Sequence, residues 1–253
     1  MNSQIIVKPN VNEVAIAVCN WLIESIESAI EQRGTCSIAL SGGSTPRRLY
    51  ERIADQELER LNWARVNLFW GDERNVPHDH QESNYGMVRN AWLDRAESTQ
   101  QPHSIPQVYP VPVPSNAPDH AAFEYTQTIR RVLPVDPTDP PATPTIDIVL
   151  LGLGDDAHTA SLFPETNAIH ETNDLVVANF VPKFGTYRLT MTARLINQAR
   201  KVAFLVCGAS KQPAIDLVWH GPRDPNLYPA QLIQPTQGEL YWFLDSAALP
   251  ERR

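Results

Sequence analysis

One short run constrains this chain more than any other: Ile146-Asp147-Ile148-Val149-Leu150-Leu151, followed at once by Gly152-Leu153-Gly154. A near-continuous apolar run of this length reads as a strand buried on both faces, in the middle of a parallel sheet. In open α/β sheets, ligands bind where loops leave the carboxyl ends of the strands. Here that loop carries Asp155, Asp156 and His158. Gly152 and Gly154 let the backbone turn sharply and approach a ligand closely. The competing reading is a strand-to-helix turn with capping aspartates.

The same strand-then-loop grammar recurs along the chain. Apolar residues at Val14, Val18, Leu22, Ile26, Ala29 and Ile30 keep helical spacing over Val11–Arg33, with Asn10 and Glu13 as a capping box and Gly34 as the stop. A strand at Cys36–Leu40 runs into Ser41-Gly42-Gly43-Ser44-Thr45-Pro46, with a helix expected over 46–57. A strand at Val66–Trp70 ends in what reads as a polar loop, 71–77, and a helix is expected over 83–96. The proline-rich stretches 101–118 and 134–144 flank a helix at 121–133 and read as surface loops. Further strands are expected over 175–181, 189–192, 201–207 and 239–245, with a short helix after 192 and another ending at Trp219. Strands alternating with helices predict an α/β fold, a doubly wound and mostly parallel sheet. The whole chain, 1–253, is expected to form a single domain.

Three loops carry chemistry. Ser41, Gly42, Gly43, Ser44 and Thr45 leave a strand and enter a helix, whose free N–H groups and positive dipole end suit a phosphate. No Gly-Lys-Ser/Thr follows, so this is not a Walker loop, and it is not GxGxxG. In the second loop Asp72 suits orientation of a base or water, or itself acts as a base, and Arg74 suits a bidentate clamp on an anion. A surface ion pair is the plainer explanation of that triplet. His78 and His80 lack an evident third ligand, so no metal is expected. Lys211 stands early in a helix, against its dipole, a placement that an anion would explain. Spacing alone does not distinguish Lys183 and Arg188 from surface charge.

Composition narrows the function classes. A net charge of −8 with no basic block disfavours a nucleic-acid role. No apolar run approaches the length of a membrane span, and the first nine residues lack a signal-peptide pattern, so a cytoplasmic protein is expected. Cys19, Cys36 and Cys207 sit in apolar segments without CxxC spacing and read as reduced thiols.

Taken together, four motifs resemble the 6-phosphogluconolactonase family, within the larger group that includes glucosamine-6-phosphate deaminase. They are Ser41-Gly42-Gly43-Ser44-Thr45-Pro46; Trp70-Gly71-Asp72-Glu73-Arg74 with Val76-Pro77 and Ser83-Asn84-Tyr85; Gly152-Leu153-Gly154 through His158-Thr159-Ala160-Ser161-Leu162-Phe163-Pro164; and Arg188-Leu189-Thr190-Met191-Thr192. The resemblance implies a Rossmann-like domain with a small accessory lobe and no metal or organic cofactor. It implies hydrolysis of a sugar phosphate lactone, 6-phospho-D-glucono-1,5-lactone, by a monomer or weak homo-oligomer. On that basis His158 is expected to be the general base, an imidazole being largely neutral at pH 7 with an ordinary pKa near ~6.5. Asp156 or Asp72 would orient it. The Gly42–Thr45 loop would hold the phosphate, with Arg74, Lys183, Arg188 and Lys211 as candidate cations. Two positions depart from the family pattern: Ala157 stands where glycine is usual, and Phe184-Gly185 where prolines follow the lysine. The first puts the loop's conformation in question if φ there is positive. The rival readings are an amino-sugar-phosphate deaminase or isomerase on the same fold, and a non-catalytic sugar-phosphate sensor.

Overall fold

The computed structural model describes residues 3–133 and 143–250, so the expected connector at 134–144 lies almost wholly outside the described residues. In chain order the elements are β1 (Gln4–Lys8), α1 (Val11–Arg33), β2 (Cys36–Leu40), α2 (Ser44–Gln56), β3 (Val66–Trp70) and β4 (Asp72–Arg74). Then follow α3 (Asn84–Val88), α4 (Asp94–Ser98), β5 (Gln107–Val108), α5 (Pro118–Val132), β6 (Ile148–Leu151) and β7 (Val176–Val181). The chain closes with β8 (Thr186–Met191), α6 (Ala193–Asn197), β9 (Lys201–Val206), α7 (Gln212–His220) and β10 (Glu239–Asp245).

Seven strands form one sheet in the order β1-β10-β9-β6-β2-β3-β5, and every pairing in it is parallel. From β2 the chain winds outward through β3 to β5; it then returns to the other side of β2 with β6 and continues through β9 to β10. The carboxyl ends of β2 and β6 therefore flank the point where winding reverses, the place where such sheets bind ligands. β2 and β6 are buried at every residue, as a two-sided strand must be.

Helix α1 has the expected bounds. The Asn10 side chain accepts from the N–H groups of Asn12 and Glu13, and the Gly34 N–H donates to the Ile30 carbonyl. Val14, Val18, Leu22, Ile26 and Ala29 are buried against the sheet. Helix α2 starts two residues earlier than expected, at Ser44, so Pro46 falls at the third helical position, where its missing N–H would have had no partner.

The structure corrects several expectations. The stretch read as a polar loop contains β4, which pairs antiparallel with β8; β8 pairs in turn with β7. This three-stranded sheet is the accessory lobe. The triplet Asp-Glu-Arg has no apolar alternation, so its extended form comes from a partner more than a hundred residues away. No helix follows β6: residues 152–166 are turns and bridges, succeeded by a 3-10 turn at Asn167–His170. Helix 83–96 is two α segments joined by a π-helical turn, Arg89–Leu93. Edge strands β1 and β5 are pairings the sequence did not announce. Among the described residues no helix is long and apolar enough to cross a membrane.

Candidate active site

A cavity of about 260 Å³ lies at the winding reversal. It is lined by the glycine-rich loop from Ser41 to Pro46, by Asp72, Arg74 and Asn84, by Gly152–Gly154 and His158–Ala160, and by Arg188, Cys207 and Lys211. Of the residues singled out in the sequence, Ser41, Gly42, Gly43, Ser44, Thr45, Asp72, Arg74, His158, Arg188 and Lys211 are thus brought together. Asp156 and Lys183 stand behind this lining.

The imidazole of His158 is fixed from two sides. Its Nδ1 contacts Asp156 Oδ1, and Asp156 Oδ2 accepts from Lys183 Nζ at 3.1 Å. The ring stacks on Phe163 at 4.0 Å between centroids. The hydrogen bond from His158 holds the Asp156 carboxyl well below the usual carboxylate range, so it stays ionised and acceptor-only. An ionised acceptor at Nδ1 requires the proton there and leaves Nε2 as the free lone pair. Of the two carboxylates expected to orient the base, the geometry selects Asp156. Asp72 is instead occupied by Ser161, whose Oγ donates at 2.6 Å, and by the Asn84 amide.

Close approach explains two glycines. A Cβ on Gly154 would stand 2.0 Å from His158 Nδ1, and one on Gly42 would stand 1.9 Å from Asn84 Oδ1. Ala157 does have positive φ, +59°, in a fully buried position. Its N–H donates to Gly154 and its carbonyl accepts from Ala230, so both sides of the residue are tied. A non-glycine residue there costs about 1–2 kcal/mol, which the surrounding contacts offset. The departure from the family pattern therefore strains the loop without moving His158 away from Asp156.

The cations divide by the alternation of β4. In the β4–β8 register Asp72 faces Thr190 and Arg74 faces Arg188 directly, so these four share the cavity side. Glu73 points the other way. It is fully buried and accepts from Ser83 Oγ and the N–H groups of Asn84, Tyr85 and Arg74, tying the strand to α3; burial pushes its carboxyl up. Two arginines directly opposite one another repel. The Nε groups of both, and Ser41 Oγ, are buried without a hydrogen-bond partner among the described residues. Such groups are costly to leave unpaired. A phosphate oxygen would satisfy them.

Lys211 lines the cavity and its ammonium reaches Asp155 Oδ1 at 2.6 Å, a countercharge that explains part of its placement against the dipole of α7. Lys183 is 62% exposed and sits on Asp156, so it reaches the site through the base's partner. His78 Nε2 lies 3.0 Å from the Val111 carbonyl, and His80 Nδ1 accepts from the Glu82 N–H. Among the described residues no group of three or more His, Cys, Asp or Glu is placed to hold a metal ion. Sequence reasoning singled out neither Asn84 nor Ser161 nor Phe163 by role, although all three lie in motifs that carry the family resemblance.

Comparison with known proteins shows what the whole chain is similar to. A protein named 6-phosphogluconolactonase from Nostoc sp. is 42% identical over 98% of both chains. One of the same name from Synechocystis sp. is 45% identical over 88% of this chain and 87% of its own. The solved structure of 6-phosphogluconolactonase from Trypanosoma brucei superposes with a TM-score of 0.85 at 32% identity, covering 98% of this chain and 97% of that one. A family model described as glucosamine-6-phosphate isomerases/6-phosphogluconolactonase matches residues 9–242, and the chain belongs to this family.

Proposed function

We propose that this chain hydrolyses 6-phospho-D-glucono-1,5-lactone to 6-phospho-D-gluconate, the second step of the oxidative pentose phosphate pathway. The observation that carries this reading is the Asp156–His158 pair at the edge of a cavity that is also lined by two arginines whose buried Nε groups have no partner among the described residues. Binding at the remote phosphate holds the lactone carbonyl against the base. Nε2 of His158 takes a proton from water as the water oxygen bonds to C1. The tetrahedral oxyanion is stabilised by main-chain N–H groups of the 152–160 loop. Its collapse breaks the bond from C1 to the ring oxygen, which takes the proton back from Nε2. Asp156 keeps the ring in the required tautomer and stabilises its transient positive charge. Retention of this pair despite Ala157 favours catalysis over a non-catalytic sensor.

The test follows lactone disappearance by NMR with and without the protein, because the lactone also opens spontaneously. Clear acceleration is expected; a rate equal to the blank overturns the reading. Within it, Lys211→Ala raises KM by ~3–10-fold with kcat little changed, since Asp155 already screens part of the ammonium charge. An unchanged KM removes Lys211 from phosphate binding.

The same reading places the enzyme in the cytoplasm, as one domain over 1–253, monomeric or weakly self-associating. The cysteines support a reducing compartment: Cys19 and Cys36 are buried free thiols, and burial pushes that of Cys19 up to about 11.

A further inference from the structure

Arg188 is held in an unusual way. The residue is 9% exposed, and among the described residues its Nε has no hydrogen-bond partner and no carboxylate lies within ion-pair distance of it. Arg74 stands directly across the ladder. Burial, and then the charge of Arg74, lower its pKa, against the weaker opposing charges of Asp72, Glu82 and Glu73. A long cationic side chain so placed gains by swinging toward water, unless something other than a countercharge retains it.

What touches the guanidinium is aromatic. Its central carbon lies 4.6 Å from the centroid of Phe184 and 5.3 Å from that of Phe163. The two rings meet edge to face at 5.7 Å. Phe163 is buried and also stacks on His158. Phe184 differs: it projects from the 3-10 turn Pro182–Phe184 between β7 and β8, is 48% exposed, and lies outside the cavity lining. Core packing therefore does not account for a large apolar ring at that turn.

We propose that Phe184 is a positioning residue: its ring, set edge to face with that of Phe163, holds the Arg188 guanidinium in the cavity before the substrate's phosphate reaches it. This rests on the reading of Arg188 as a phosphate cation. It gives the accessory lobe a part in binding that no polar contact supplies. It also explains how a turn without the family's usual prolines serves the site. A cation–ring contact is lost, with most of the apolar character kept, when the ring is replaced by a branched aliphatic chain.

The experiment compares Phe184→Leu, Phe184→Tyr, Arg188→Met and the double variant Phe184→Leu/Arg188→Met. For each, KM and kcat for the lactone and the inhibition constant of inorganic phosphate are measured. Phe184→Leu is expected to raise KM and weaken phosphate inhibition by roughly 3–30-fold, with kcat within about twofold. Phe184→Tyr keeps the ring face and restores both constants. In the Arg188→Met background Phe184→Leu adds nothing. If Arg188→Met raises KM but Phe184→Leu does not, positioning by Phe184 is wrong. If Phe184→Leu lowers kcat and melting temperature with KM unchanged, the ring is structural and the proposal falls. If Arg188→Met itself leaves KM and phosphate inhibition unaltered, the phosphate reading of Arg188 fails, and the inference resting on it fails with it.

Discussion

His158→Ala lowers kcat by ~10²–10⁴-fold while KM changes by less than about threefold. The size of the loss follows from what the imidazole alone supplies: a lone pair on Nε2 and a place to store the proton until the ring oxygen departs. The selectivity follows from geometry. His158 contacts Asp156 and Phe163 and makes no direct contact with the groups assigned to phosphate binding; Arg188 meets it only through the Phe163 ring, which Phe184 also supports. The measurement is initial-rate kinetics with subtraction of spontaneous opening, alongside phosphate inhibition of the variant. Turnover near that of the unsubstituted protein would remove His158 from the role of base. Lost phosphate binding would mean that the substitution had collapsed the loop.

Asp156→Asn is expected to lower kcat by ~10²–10³-fold, again with little change in KM. An amide next to Nδ1 turns either its oxygen or its NH₂ toward the ring. The first keeps the tautomer but loses the charge that stabilises the imidazolium; the second moves the proton to Nε2 and abolishes the base. Stability gives an independent readout. Because the folded carboxyl titrates below its unfolded value, its contribution is fully present above the unfolded pKa of ~3.9 and is lost as pH falls through the folded one. The variant should therefore melt lower at pH 7, by about 1–2 kcal/mol for a side chain that is 29% exposed, or ~2–8 °C. The gap should close progressively below about pH 4. A gap that persists unchanged at pH 2 would mean that the substitution acts through packing and not through charge.

Local signals carried much of this molecule. Helix α1 and strands β2 and β3 have the expected bounds, because caps, helical spacing and short apolar runs are all encoded within the segment itself. The glycine-rich loop, His158 and most of the charged side chains that line the cavity were legible for the same reason: glycine, carboxylate and imidazole in a loop after a buried strand are rare without a cause. What the sequence hid was non-local. Nothing in Asp72-Glu73-Arg74 marks it as extended; β8 imposes that. Choosing between Asp72 and Asp156 needed Ser161 and Asn84, which occupy the former. Phe163 reads as ordinary core from its neighbours, and only its stacking on His158 distinguishes it. Nothing near Lys183 in the sequence announces that its ammonium sits on Asp156.

The pairing of β4 with β8 has a consequence for how activity is lost. It sets Arg74 against Arg188 and Asp72 against Thr190 on one face, and Glu73 on the other. Side chains alternate with period two, so sliding β4 by a single residue would turn Asp72 and Arg74 off the cavity face, leave Arg188 in place and bring the Glu73 carboxylate in. The reading frame of three ladder rungs thus behaves like a key cut in backbone. A one-residue insertion between Gly71 and Asn75 would silence the enzyme and also lower its melting temperature, because it removes Glu73 from the buried site where it accepts four hydrogen bonds.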